Sequence, residues 1–273
     1  MTTNRSPFLI TALAFGFAFL YLPIVLLVIY SFNASKLVTV WAGFSTKWYA
    51  ALLDDAQIMG AAWTSLKIAV MNASFALVLG TLAGFALARF GRFKGRTLFS
   101  AMTTAPLVMP EVITGFSMLL LFVAMEQLVG WPGGRGIATI TIAHITFSMA
   151  YVAVIVQARL TDFDRSIEEA ALDLGARPWK VFTFITIPII SPALMTGWLL
   201  SFTLSLDDLV IASFVSGPGS TTLPMVVFSS VRLGISPKIN ALATLLILIA
   251  TLGILLAHFV AQRSKKTAFN KAA

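Results

Sequence analysis

The stretch EAALDLGARPWKVFTFITIP, Glu169–Pro188, concentrates charge and helix-breaking residues in an otherwise apolar chain. It falls between two segments long enough to cross a bilayer. Just ahead of it, Ser166-Ile167-Glu168-Glu169 fits a capping box. The Ser166 hydroxyl can accept from the Glu169 amide, and the Glu169 carboxylate can reach back to the Ser166 amide. Glu168 and Glu169 also suit the positive end of a helix dipole. Ala170, Ala171 and Leu174 continue the helix, Gly175 can close it in a left-handed conformation, and Pro178 can open the next. Trp179, Phe182 and Ile185 can anchor that second helix to a membrane face. A helix this short needs a partner surface to be stable. Its small alanine face suits insertion into a groove.

Composition agrees with a membrane setting. The chain has 273 residues, is 58% hydrophobic and 11% charged, and has a mean hydropathy of +0.92. Soluble domains carry about 25% charged residues. Several apolar runs exceed the roughly 18 residues that cross the hydrocarbon core. They are continuous rather than alternating, which points away from a β-barrel. The expected fold class is an all-α integral membrane protein with six transmembrane helices.

The net charge of +8 is clustered rather than spread. Arg89, Arg92, Lys94 and Arg96 follow the second span. Arg159, Arg165, Arg177 and Lys180 flank the quoted stretch, and Arg263, Lys265, Lys266 and Lys271 form the tail. With Arg5, these make up most of the 19 basic residues on one side of the membrane. By the positive-inside rule both termini and the charged loop are expected in the cytoplasm. No basic stripe interleaved with stacking aromatics is present, so no nucleic-acid partner is expected. Cysteine is absent and gives no redox information.

The expected spans are Phe8–Phe32 with Pro23 inside, Ala61–Leu87, Leu98–Met125, Ile137–Ala158, Ile189–Phe214, and a sixth from Ser236-Pro237 to Gln262. Residues 1–7 form a cytoplasmic N-terminus, 8–262 the six-span domain with its loop at about 159–188, and 263–273 a cytoplasmic tail. The first run is too long for a signal-peptide core and has no small-residue cleavage site, so it reads as a retained span. No internal repeat is evident. Six spans and one charged loop look like half of a pore, which calls for a partner half.

The pattern Glu169-Ala170-Ala171, then Gly175, Ile185 and Pro188, resembles the EAA signature of binding-protein-dependent ABC importer permeases. It departs where Ile187 replaces the usual leucine. Further runs resemble polyamine-importer permeases, and most of all the putrescine type: Ser31–Tyr49, Ala105–Gly115, Ala143–Phe147, Gly197–Gly219 and Ile239–Thr244. The resemblance implies a type I ABC importer permease fold in the bacterial inner membrane. It implies a loop that docks an ATPase through Ser166, Glu169, Ala170, Ala171, Gly175, Ile185 and Pro188. It also implies an assembly of two different permeases, two ATPase subunits and a periplasmic polyamine-binding protein, carrying putrescine, or spermidine or another organic cation.

Three acids fall within the expected spans: Glu111, Asp207 and Asp208. A charged residue at a helix centre costs about 2.5–3.5 kcal/mol by insertion scales, and such residues mark a pathway by default. Counted from Leu98 at about 1.5 Å per residue, Glu111 is roughly 20 Å into its span. Asp207 and Asp208 are nearer the outer side and about 100° apart on a continuous helix. Asp208 shares a small polar stripe with Gly197, Ser201 and Ser205 and is the first choice to line the pathway; the reverse assignment, with Asp207 lining it, is the alternative. His144 and Tyr151 are further pathway candidates. For each, the plainer reading is a hydrogen-bonded or packed interhelical residue.

Catalysis finds little support. No G-x-x-x-x-G-K-[ST] is present, and Gly91–Thr97 has the wrong spacing, so nucleotide binding belongs to a partner. Gly115-Phe116-Ser117 with His144 faintly suggests a serine protease, but Met118 stands where a turn glycine is needed. No cofactor or metal is expected. A secondary transporter is the remaining alternative, and copurification with an ATPase separates it from an importer half.

Overall fold

A computed structural model describes residues 7–37, 40–234 and 236–272, and side-chain environments for 8–37, 40–234, 236–253 and 255. Arg5 and the side chains of the basic tail lie outside the described residues. The chain divides into two compact units, one formed before Gly60 and after Val226, the other Gly60–Val226.

In the first unit, α1 (Pro7–Ser31) carries Pro23 inside an uncharged apolar helix. It is followed by α2 (Lys47–Leu53) and by the start of α3 (Ala56–Arg89). Asp55 caps α3 by accepting from the Gln57 and Ile58 amides at 3.0 and 3.1 Å, which starts the helix five residues before the expected span.

The second unit holds α4 (Arg96–Val108), α5 (Glu111–Val129), α6 (Ile137–Asp162), α7 (Ser166–Asp173) and α8 (Pro178–Val181). After a π-helical turn at Phe182–Thr186 come α9 (Ile187–Asp207) and α10 (Val210–Val215). Helix α11 (Leu223–Leu233) and α12 (Pro237–Ala272) complete the order. Among the described residues five helices are long and apolar enough to cross a membrane: Phe8–Ser31, Ala56–Arg89, Glu111–Val129, Ile137–Asp162 and Pro178–Asp207. The sixth expected span is α12, whose described apolar part is Pro237–Gly253.

Elsewhere the helices depart from the expected bounds at three places. The third span is two helices, because Pro110 has no amide to donate and forces Met109 into an extended conformation (ψ 135°). The helix that carries the fifth expected span begins at Pro178, ahead of Ile189. Pro188 lacks an amide, and the Ile187 amide donates five residues back to the Phe182 carbonyl, so the chain absorbs the proline in a π-turn instead of a loop. The same span ends at Asp207 rather than Phe214. Asp208 is extended (ψ 122°), and a separate short helix follows.

Helix α6 is the centre of the second unit. Ile140, Ala143, Phe147, Ile211, Ala212 and Val215 are buried together with Ile68 and Phe122. Lower down, Val152, Val156, Leu160 and Ile190 form a second buried cluster. Helix α3 reaches α6 across Gly80 and Gly84, a spacing of four that lets two backbones approach. A Cβ on Gly84 would lie 2.6 Å from the Ala153 carbonyl oxygen, and one on Gly80 would lie 2.7 Å from that of Met149. Gly84→Val should therefore destabilise the chain by about 1–3 kcal/mol, the usual cost of overpacking. Thermal unfolding of the purified permease in detergent tests this. Gly16→Val, where a Cβ meets nothing within 4 Å, serves as the control, and equal melting of the two variants would refute the close approach.

Candidate functional site

The charged loop folds as a helix with an exposed face and an anchored face. Helix α7 starts without the expected capping box. Asp164 Oδ1 instead accepts from the Ser166 amide at 3.0 Å, so the side chain two residues ahead of the helix does the capping. That amide and the Ser166 hydroxyl hold the Asp164 carboxyl below the usual carboxylate range. Glu169 points outward and pairs with Arg165 at 3.1 Å, both about 60% exposed. At that exposure the pair stabilises the helix only weakly.

The helix end follows the expectation. Gly175 is left-handed at φ 84°. The Ala176 amide donates to the Ala171 carbonyl at 3.0 Å, and the Gly175 amide to Leu172 at 2.9 Å. These are the two bonds of a Schellman closure. Pro178 begins α8 at its first position, as expected. Ile167, Glu169, Ala170 and Leu172 are exposed, and Leu174 is 90% exposed. Trp179 is exposed, Ile185 half-buried and Pro188 exposed, while Phe182 packs edge-on against Phe85 at 4.9 Å.

The anchored face rests on a residue absent from the expected docking set. Glu168 is buried. Its Oε2 is 2.7 Å from Arg89 Nε at the end of α3, and its Oε1 accepts from the Thr186 hydroxyl at 2.6 Å inside the π-turn. Arg89 also donates from Nη1 to the Leu160 carbonyl of α6 at 2.9 Å. The Arg89–Glu168 contact is close in distance but not aligned as a hydrogen bond, and Arg89 Nε and Nη2 remain buried without an acceptor. A sequence signal existed: opposite charges flank apolar segments at Arg89 and Glu168. Nothing in it said which of two adjacent glutamates faced inward.

The second polar centre is the break in the fifth span. Asp208 Oδ2 accepts from the Ala212 amide at 2.7 Å and lies 3.0 Å from His144 Nε2, while Oδ1 accepts from the Ile211 amide at 3.2 Å. His144 Nδ1 is 2.7 Å from Ser205 Oγ. An ionised carboxylate can only accept, which places a ring proton on Nε2, and Nδ1 shares the second hydrogen bond with the Ser205 hydroxyl. Asp208 therefore caps α10 and clamps it to α6.

This changes the geometry on which the choice between the two aspartates rested. Asp207 and Asp208 are not successive residues of one helix, so the 100° argument does not apply. Asp208 turns inward onto His144, along the buried stripe of Gly197, Ser201 and Ser205, and Asp207 is the exposed acid. His144 is buried as an interhelical link. Tyr151 is half-buried and packs edge-on to Phe147 at 5.4 Å, beside the core. Glu111 is exposed in the first turn of α5, not midway along a continuous helix, because the break at Met109-Pro110 resets the count from Leu98. Gly115, one turn after Glu111, meets Ile211 and Phe214, and Ile211 follows one turn after Asp207-Asp208. The two exposed acids thus each stand one turn ahead of the crossing of α5 and α10.

Residues 76–266 match the family described as binding-protein-dependent transport system inner membrane component. The chain is 60% identical over 263 residues to the putrescine transport system permease protein PotI of Escherichia coli K12, covering 96% of this chain and 94% of that protein. It is 39% identical over 251 residues to the spermidine/putrescine transport system permease protein PotC of the same organism, covering 92% of each. A chain in the crystal structure of a bacterial ABC transporter that imports the polysaccharide alginate shares the fold, with a TM-score of 0.69 at 16% identity, covering 96% of this chain and 98% of that one. The match across most of the chain, the broken apolar helices and the capped loop helix agree: this chain belongs to the binding-protein-dependent family of multi-pass inner-membrane permease components of ABC importers.

Proposed function

We propose that this permease is one half of the membrane channel of a polyamine importer, with putrescine as its main substrate. ATP is hydrolysed by separate ATPase subunits that dock on α7, a second permease completes the channel, and a periplasmic binding protein delivers the substrate. The observation that carries the substrate is the 60% identity to PotI over 96% of the chain. The exposed face of α7, with Glu169, Ala170, Leu172 and Leu174, supports the docking role. Ser166, Ala171, Gly175, Ile185 and Pro188 shape that surface more than they contact the ATPase.

Putrescine carries two ammonium groups that must shed water to cross. Glu111 and Asp207 are exposed acids beside the breaks in the second unit's spans, and they serve as successive carboxylate partners. At about 4 Å and an effective dielectric near 20, one charge pair contributes roughly 4 kcal/mol before desolvation. One carboxylate per ammonium is then enough, and tighter binding would slow release. His144, Asp208 and Tyr151 support this pathway from behind. Asp207→Asn and Glu111→Gln should each lower putrescine uptake about tenfold or more, the equivalent of about 1.4 kcal/mol or more, with unchanged melting of the purified permease. Uptake at the wild-type rate in both would remove the acids from the pathway.

The positive-inside pattern supports a cytoplasmic side for both termini, the Arg89–Arg96 turn and α7. The absence of cysteine allows a direct check. Arg135→Cys and Pro218→Cys, at exposed turn positions, should react with an impermeant maleimide added outside intact cells with a permeabilised outer membrane, and Lys94→Cys should not. The opposite labelling would invert the topology.

A further inference from the structure

Arg89 gathers the ends of four elements in the second unit. It is the last residue of α3, it donates to the Leu160 carbonyl in α6, and it contacts Glu168 of α7. Glu168 in turn holds Thr186, which lies in the π-turn that opens α9. All three side chains are largely buried. The π-turn is a local weak point of the helix, because one backbone bond skips to five residues back and Pro188 donates none. Helix α7 contains eight residues and owes its position to such contacts rather than to its own propensity. Arg89 Nε lies 2.7 Å from the carboxylate, and Nη2 is buried with no acceptor of its own. Nη2 therefore gives the carboxylate a second donor on the same guanidinium when α7 shifts.

We infer that Arg89, Glu168 and Thr186 form a buried strut that converts displacement of α7 into displacement of α3 and of the π-turn below α9. Glu168 is thereby a positioning residue that sets how much substrate moves per ATP. The inference rests on the reading that α7 docks the ATPase. It adds a division of labour between two neighbouring glutamates: Glu169 faces the partner, and Glu168 faces the spans. Packing alone would also hold α7 in place. Packing does not explain a buried ion pair and a charged hydrogen bond converging from three elements, since an apolar cluster of the same volume is as stable or more so.

The test uses the complete importer in vesicles, with uptake and ATP hydrolysis measured on the same sample. Glu168→Ala should leave the ATPase subunit bound and hydrolysing, while substrate moved per ATP falls about tenfold, a typical size for coupling between sites. Thr186→Val, which removes one hydroxyl, should lower the same ratio about threefold, as expected for one hydrogen bond. A lone charge left by Glu168→Ala can distort the loop. The double variant Arg89→Met with Glu168→Leu fills the space with apolar side chains, so it should melt like the wild type yet stay uncoupled. A wild-type ratio in that double variant overturns the strut. Loss of the ATPase from the double variant, with melting unchanged, also overturns it, because the pair would then act by shaping the docking surface. Leu174→Asp, on the exposed face, separates the two readings. If it keeps both the ATPase and normal uptake, the docking assignment fails, whatever the ratio in the Glu168 variants.

Discussion

Gly175→Val is expected to reduce uptake by about an order of magnitude while the permease still inserts in the membrane. At φ 84° a side chain sits too near the neighbouring carbonyl, which costs roughly 1–2 kcal/mol and more for a β-branched residue. Relieving that strain breaks the bonds from the Ala176 and Gly175 amides that close α7. An eight-residue helix has no reserve to absorb the loss. A penalty of this size shifts the ordered fraction of α7 by a factor of about 5–30, and docking follows that fraction. Glu169→Lys, which reverses charge in the first turn of the same helix, should lose uptake too. Measured uptake in vesicles decides the point. Normal uptake in both variants would mean that α7 does not carry the ATPase.

Asp208→Ala should have its largest effect on stability. It strips three donors of one acceptor group: His144 Nε2, the Ile211 amide and the Ala212 amide. Each buried donor left without a partner costs about 1–3 kcal/mol, so a loss on the order of 3 kcal/mol is expected. Thermal unfolding of the purified permease should show a clear drop for Asp208→Ala and none for Asp207→Asn. If Asp208→Ala melts like the wild type and still fails to transport, its carboxylate is a pathway group and not a clamp.

The neighbouring aspartates show what a sequence can and cannot disclose. Composition and run length identify a helical membrane chain because bilayer thickness imposes a length on each span, and that requirement is local. Gly175 and Pro178 were legible for the same reason, since each acts through its own backbone. The break after Asp207 was not legible. No proline or glycine marks it, and it exists because Asp208 finds His144, 64 residues earlier in sequence, and the amides of α10. The inward turn of Glu168 likewise depends on Arg89 and Thr186, far along the chain. The capping box at Ser166 failed for a smaller reason. Asp164 accepts from the Ser166 amide, and the Glu169 amide donates to the Arg165 carbonyl, so the helix opens one residue before the box requires. In the third span Pro110 is visible in the sequence, but its consequence for the position of Glu111 depends on how the two helices on either side of it are set.

The account is tested most directly by uptake into vesicles containing this permease with its partner permease, ATPase and binding protein. Labelled putrescine would be offered alone and then against unlabelled putrescine, spermidine and an amino acid. The account predicts ATP-dependent accumulation of putrescine that unlabelled putrescine abolishes, spermidine lowers less, and the amino acid leaves unchanged. Accumulation of putrescine that proceeds without ATP, or no accumulation of putrescine with every subunit present, would contradict it.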